Sequence, residues 1–189
     1  MKISEEVYTH NLLWGAAERL SRRECSQKDR FYLDLSALLM AYLAFEAFVN
    51  FLGEKTCPEL WINEKDAFRG QGDTLEAKIG AISRRCHFQW KKGGPPYQDI
   101  KNLKKFRDST VHGKLQRSQY STQQKEDGTH IRWSHPFYAF ATPTKVQQSM
   151  DSIKAFCQSL LVAAHKRPGH ALLPTNAFSG LLGSASGEP

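Results

Sequence analysis

At 189 residues, with 40% hydrophobic and 24% charged side chains, the chain can bury one sizeable core, and its make-up is that of a globular domain rather than a fibrous or disordered one. Twenty-six Lys and Arg against nineteen Asp and Glu leave a net charge of +7, which favours acidic partners: nucleic acid first, an anionic membrane or an acidic protein second. The four cysteines, Cys25, Cys57, Cys86 and Cys157, form no C-x-x-C pair, so neither a metal site nor any other cofactor is expected.

The opening Met1-Lys2-Ile3-Ser4-Glu5-Glu6 lacks the apolar core of a signal peptide, so free thiols in the cytoplasm are expected. Ser4 to about Arg23 reads as a first helix, capped by Ser4, with Glu5 and Glu6 in the positive first turn. Val7, Leu12, Leu13, Ala16, Ala17 and Leu20 form its expected apolar face.

About Lys28 to Gly53 reads as the longest helix. Phe31, Leu35, Leu38, Tyr42, Phe45, Val49 and Leu52 alternate steps of four and three, a heptad stripe that implies near-antiparallel packing in a bundle. Gly53 suits its end. The longest apolar run, Ala37 to Phe45, is too short to span a bilayer and is followed by Glu46, so no membrane partner is expected.

Residues 57–72 are mixed, with a short helix around Glu59 to Ile62. Asp73 or Thr74 can cap a helix to about Cys86, with Leu75, Ile79 and Ile82 inward. Lys91-Lys92-Gly93-Gly94-Pro95-Pro96 breaks the chain, and a helix then runs from Tyr97 to His112, ended by Gly113. Residues 115–142 read as an irregular insertion. Within it, His130 to Trp133 and Phe137 to Phe140 suit two short strands, a β-hairpin. A last helix covers about Thr144 to Lys166, with Val146, Met150, Ile153, Phe156, Leu160 and Leu161 inward. The expected organisation is one all-α domain over 1–167, followed by a Gly- and Ser-rich tail over 168–189 that is extended, flexible or laid along a partner.

Chemistry concentrates in Phe106-Arg107-Asp108-Ser109-Thr110-Val111-His112-Gly113. At about 100° per residue, Ile100, Leu103, Phe106, Thr110 and Val111 form a buried arc, and Arg107 falls inside it. A guanidinium there must be paired or must line a wet cleft. Glu46 and Asn50 interrupt the long helix on one face and are its natural partners: a Glu46–Arg107 ion pair with Asn50 bonding nearby satisfies all three. Asp108 and His112 are four apart and can hydrogen-bond, orienting an imidazole whose ordinary pKa of about 6.5 suits acid–base work. Arg107 and His112 lie about 140° apart on an ideal helix. Either the last turn unwinds, or a second subunit completes the site.

These residues resemble the HEPN superfamily of four- to five-helix bundles, often RNA-cleaving toxins or defence ribonucleases. Its signature is Arg, a polar residue, variable positions and then His near the end of a late helix, and Arg107-Asp108-Ser109-Thr110-Val111-His112 matches it. Phe45-Glu46-Ala47-Phe48-Val49-Asn50 is similar to the family's polar-studded early helix. The resemblance covers about Lys28 to Lys166, apart from the insertion. It implies metal-independent endoribonuclease activity. His112 takes the ribose 2′-OH proton, Arg107 stabilises the phosphorane-like transition state, and a 2′,3′-cyclic phosphate results. It implies a homodimer whose two motifs share one cleft, and an antitoxin or regulatory protein as a further partner. Some members are instead non-catalytic modules that bind nucleotide or RNA, or dock a protein.

Cations interleave with aromatics in Ser83-Arg84-Arg85-Cys86-His87-Phe88-Gln89-Trp90-Lys91-Lys92, so Arg84, Arg85, Lys91 and Lys92, with Lys101 and Lys105, are candidate RNA contacts. The same pattern also suits a solvated helix end with two packed aromatics. His130, Trp133, His135 and Tyr138 are expected to pack rather than bind metal. A purely structural reading stays open, in which Arg107 and Glu46 only fix helix register.

Overall fold

The computed structural model describes residues 2–111, 136–167, 173–180 and 183–188. Among them the protein is all-α apart from one two-stranded sheet. Five long helices form a bundle: α1 (Thr9–Arg22), α2 (Gln27–Thr56), α5 (Thr74–Cys86), α6 (Tyr97–Val111) and α8 (Pro143–His165). Short helices α3 (Pro58–Trp61), α4 (Glu64–Ala67) and α7 (Pro136–Phe140) lie in the connections, and strands β1 (Lys2–Val7) and β2 (Gly183–Glu188) pair antiparallel.

Helix α2 is the axis, packed against α1, α5, α6 and α8. Ser26 caps it by accepting the Asp29 N–H. Of the heptad stripe, Leu38, Tyr42, Phe45, Val49 and Leu52 are fully buried, and Phe31 and Leu35 are partly so. The helix is long and apolar enough to cross a bilayer, and half of its most apolar stretch is buried within the bundle. Asp73 caps α5, its Oδ1 accepting the N–H groups of Leu75 and Glu76. Six α8 residues read as inward (Val146, Met150, Ile153, Phe156, Leu160, Leu161) are buried. Asp99 of α6 accepts from Ser152 and Gln148 of α8, and Phe106 stacks on Phe140 of α7 at 4.5 Å.

Four expectations are corrected. Ser4, Glu5 and Glu6 do not open the first helix: they lie in β1, which pairs with residues 183–188, and α1 starts at Thr9 without a side-chain cap. Of the expected α1 face, Ala17 is buried and Leu13 and Leu20 pack partly buried on the core, but Val7 and Leu12 are exposed and His10, Asn11 and Trp14 are buried instead. Gly53 does not end α2, which runs on to Thr56. The Trp61 ring lies against Gly53 so closely that a Cβ would sit 2.0 Å from it, and glycine is there for that approach. Residues 137–140 are helical in α7 rather than a strand, because Pro136 opens a turn whose Phe140 packs back on α6. The strand expected at 130–133 lies outside the described residues.

The tail expected to be extended, flexible or laid along a partner is docked on the chain's own helices where it is described. Leu173 and Ala177 are buried, and Phe178 stacks on Trp14 at 4.0 Å. Gln158 of α8 clamps it by donating to the Thr175 carbonyl and accepting the Ala177 N–H. His10 sits among Tyr8, Phe48, Phe51 and Phe178, and burial pushes its pKa down to about 4.

Candidate functional site

Ile100, Leu103 and Phe106 anchor α6 in the core, and Arg107 lies on the edge of that stripe where it meets α2. Thr110 is only half-buried and Val111 is 60% exposed, so the buried arc stops short of the helix end. The Arg107 side chain is 19% exposed and that of Glu46 29%. Arg107 Nη2 donates to Glu46 Oε1, and Nη1 donates to Asp108 Oδ1 at 2.8 Å. The guanidinium lies over the Tyr42 ring at 4.6 Å, a cation–π contact. Its Nε is buried with no hydrogen-bond partner among the described residues. Thus α2 supplies the floor and one carboxylate, and α6 supplies the other.

Burial raises the Glu46 carboxyl above its usual value, and Arg107 offsets that only in part. The Tyr42 phenol is also raised, by burial first and then by the nearby Glu46 charge. Asp108 Oδ2 accepts from Lys104 at 2.8 Å, and Lys104 reaches Asp73 at the head of α5 at 3.5 Å. The Asp108 bond first lifts the Lys104 ammonium above its usual value. A polar seam therefore joins α2, α6 and the start of α5.

Asn50 does not join Arg107. Its Oδ1 accepts from Lys78 of α5 at 2.8 Å, and the 8%-exposed Lys78 also pairs with Glu64 of α4. The signal for Lys78 was weak, since a lysine on an amphipathic helix reads as solvent-facing. Tyr42 was legible only as one more apolar heptad position. His112, Gly113 and the insertion aromatics up to His135 lie outside the described residues, as does any contact of Asp108 with His112.

Of the six candidate RNA cations, Arg84 and Lys92 line one hollow and Lys92 and Lys101 share a carboxylate. Arg84 and Arg85 are exposed in the last turn of α5, and Lys91 is exposed beyond it. Lys92 and Lys101 both pair with Glu76, at 3.1 and 3.5 Å, which ties the outer side of α6 to α5 and the following loop. Burial would raise the Glu76 carboxyl, but the Lys92 and Tyr97 hydrogen bonds hold it below its usual value. Lys105 is exposed. Trp90 and Phe88 are packed aromatics: Trp90 meets Tyr97 edge-on at 4.2 Å, and both rest on Phe156.

No protein-family model, curated protein or solved structure matches the chain. The reading of the site rests on its own residues.

Proposed function

We propose that the chain is a metal-independent endoribonuclease of HEPN type, acting in the cytoplasm as a toxin or in defence. The observation that carries this reading is Arg107: a guanidinium fixed by two carboxylates and an aromatic face, five positions before His112. In this reading His112 removes the 2′-OH proton and the 2′-oxygen attacks phosphorus. The 5′-oxygen leaves, and a 2′,3′-cyclic phosphate remains. Arg107 stabilises the charge that builds on the phosphoryl oxygens, and pre-positioning makes this contact effective because little reorganisation is needed during reaction. An arriving phosphate competes with Glu46 and Asp108 for Arg107. Burial already disposes Glu46 towards its neutral form, and a proton taken up there releases Nη2 to the phosphate.

A homodimer fits the same surface. On α2 the outward positions Tyr32, Leu39 and Leu43 fall in heptad register with Glu46, and Tyr32 and Leu43 are exposed at 65% and 38%. Burying this stripe between two copies sets their Glu46–Arg107 pairs on one seam. The test is RNA cleavage by Arg107→Lys, which keeps the charge but loses the fork. The reading expects a large loss of turnover with little loss of fold. Wild-type turnover in that variant would remove Arg107 from the chemistry.

A second reading has one observation in its favour: both terminal nitrogens of Arg107 are already bonded to carboxylates. It makes the chain a non-catalytic module that binds RNA or nucleotide, or docks a protein. It expects binding without turnover at every pH from about 6 to 8, where a histidine base works.

A further inference from the structure

Where α5 and α8 end side by side, two hollows of about 580 and 530 Å³ adjoin. Both are lined by His87, Phe88 and Gln89, so they form one groove running over the end of α5. The turn is sharp because His87 adopts the left-handed conformation (φ 53°), and Phe88 N–H bonds back to the Ser83 carbonyl. This drops the Phe88 ring onto the core and leaves a trough above it.

The lining is one-sided in charge. Arg84 and Lys92 stand at one end, Lys166 and Arg167 at the other, and among the described residues no Asp or Glu lines either hollow. Lys92 alone of the four is paired with a carboxylate among the described residues. The helix C-termini attract these cations but leave their donors open to an anion. A second observation marks a ligand. Ser83, 6% exposed, lines the groove with its Oγ buried and without a hydrogen-bond partner among the described residues. Trp90, beneath Lys92 at 5.1 Å, and Phe88 give the floor apolar surface.

We propose that this groove binds the phosphate backbone of single-stranded RNA. The occupant follows from chemistry: cations for phosphates, three of the four unpaired among the described residues, an aromatic floor for a base or ribose, and Ser83 Oγ and Gln89 as neutral polar groups. A duplex could offer only its outer phosphates to hollows of this size. From its Lys92 end, ion pairs lead on to α6. Lys92 shares Glu76 with Lys101, and Lys101 lies six residues, about 9 Å, from Arg107 along α6. The assignment rests on the ribonuclease reading for the identity of the polymer and makes the groove its holding site away from the point of cleavage.

The test is fluorescence anisotropy with a labelled 2′-O-methyl oligoribonucleotide, which lacks the attacking hydroxyl, so binding is read apart from cleavage. The full chain carries Arg84→Ala with Lys166→Ala, both exposed positions. Far-UV circular dichroism and thermal melting check the fold. The control carries Arg19→Ala with Arg22→Ala on α1. The groove variant should bind about tenfold more weakly. Its slope of log affinity against log salt should fall by about 1.4, two lost phosphate contacts at about 0.7 each. The control should match wild type. Unchanged binding, or equal losses in both pairs, overturns the proposal, as does weakened binding to anionic phospholipid vesicles with oligonucleotide binding intact. Groove-dependent binding by a protein that cuts no RNA keeps the groove and removes the ribonuclease; cleavage with groove-independent binding does the reverse.

Discussion

Arg107→Ala removes one partner of a largely buried ion pair and leaves Glu46 behind. Breaking a fully buried pair from one side costs about 3–5 kcal/mol, because the survivor is an uncompensated charge. Here 19% of the Arg107 side chain and 29% of that of Glu46 meet solvent, so water screens part of that cost. About 2–3 kcal/mol is the expected loss, including the Tyr42 face contact. For a chain of this size that lowers Tm by about 5–10 °C. Glu46→Gln should cost about 1 kcal/mol or less, since Arg107 keeps Asp108 and the stranded group is a cation with a partner. The double variant should recover about half of the Arg107→Ala loss, because no carboxylate is then stranded. Acid should rescue the single variant too. Burial holds the Glu46 pKa above its unfolded value, so the neutral form favours the fold at low pH, and that stability is lost as pH rises through the folded pKa. Without Arg107, which lowers that carboxyl, the upward shift is larger in the variant, so the Arg107→Ala deficit should shrink as pH falls towards the ordinary carboxylate range. Urea titration and thermal melting of the four proteins read all of this. A deficit below about 0.5 kcal/mol, or one that Glu46→Gln leaves unchanged, would refute the reasoning.

Three further outcomes follow from the fold. Gly53→Ala should destabilise by about 1–3 kcal/mol in chemical denaturation despite the better helix propensity of alanine, because its Cβ meets the Trp61 ring; a more stable variant would mean that the ring moves aside freely. His10 is held neutral, with its pKa lowered to about 4, so stability present above pH 6.5 should fall by about 3 kcal/mol as pH drops from 6.5 to 4. In His10→Phe that part of the pH dependence should vanish. Phe178→Ala removes the ring stacked on Trp14 and should release the described tail, seen as faster proteolytic cleavage between residues 173 and 180 than in the wild-type chain.

Where a feature is local and periodic, it could be read along the chain. The α2 stripe, the Asp73 cap and the inward face of α8 depend on spacing within one helix, and each is present. The Glu46–Arg107 pair was legible because two polar groups each interrupted an apolar face, and burial leaves few ways to satisfy them. What escaped depends on distant partners. Ser4-Glu5-Glu6 looks like a helix start, yet these residues pair with a strand some 180 positions away. Gly53 looks like a stop signal until Trp61 lies across it. The tail composition suggests disorder, but Phe178 finds a stacking partner in Trp14. Lys78 could not be distinguished from a solvated lysine until Asn50 and Glu64 converged on it.

The most direct test of the central claim is RNA cleavage in EDTA by wild type beside His112→Ala, with the 3′ end of each product determined. The ribonuclease account expects fragments ending in 2′,3′-cyclic phosphate from the wild type and none from the variant, with the fold of both intact. Equal cleavage by the two proteins, or none by either across several RNAs, would contradict it.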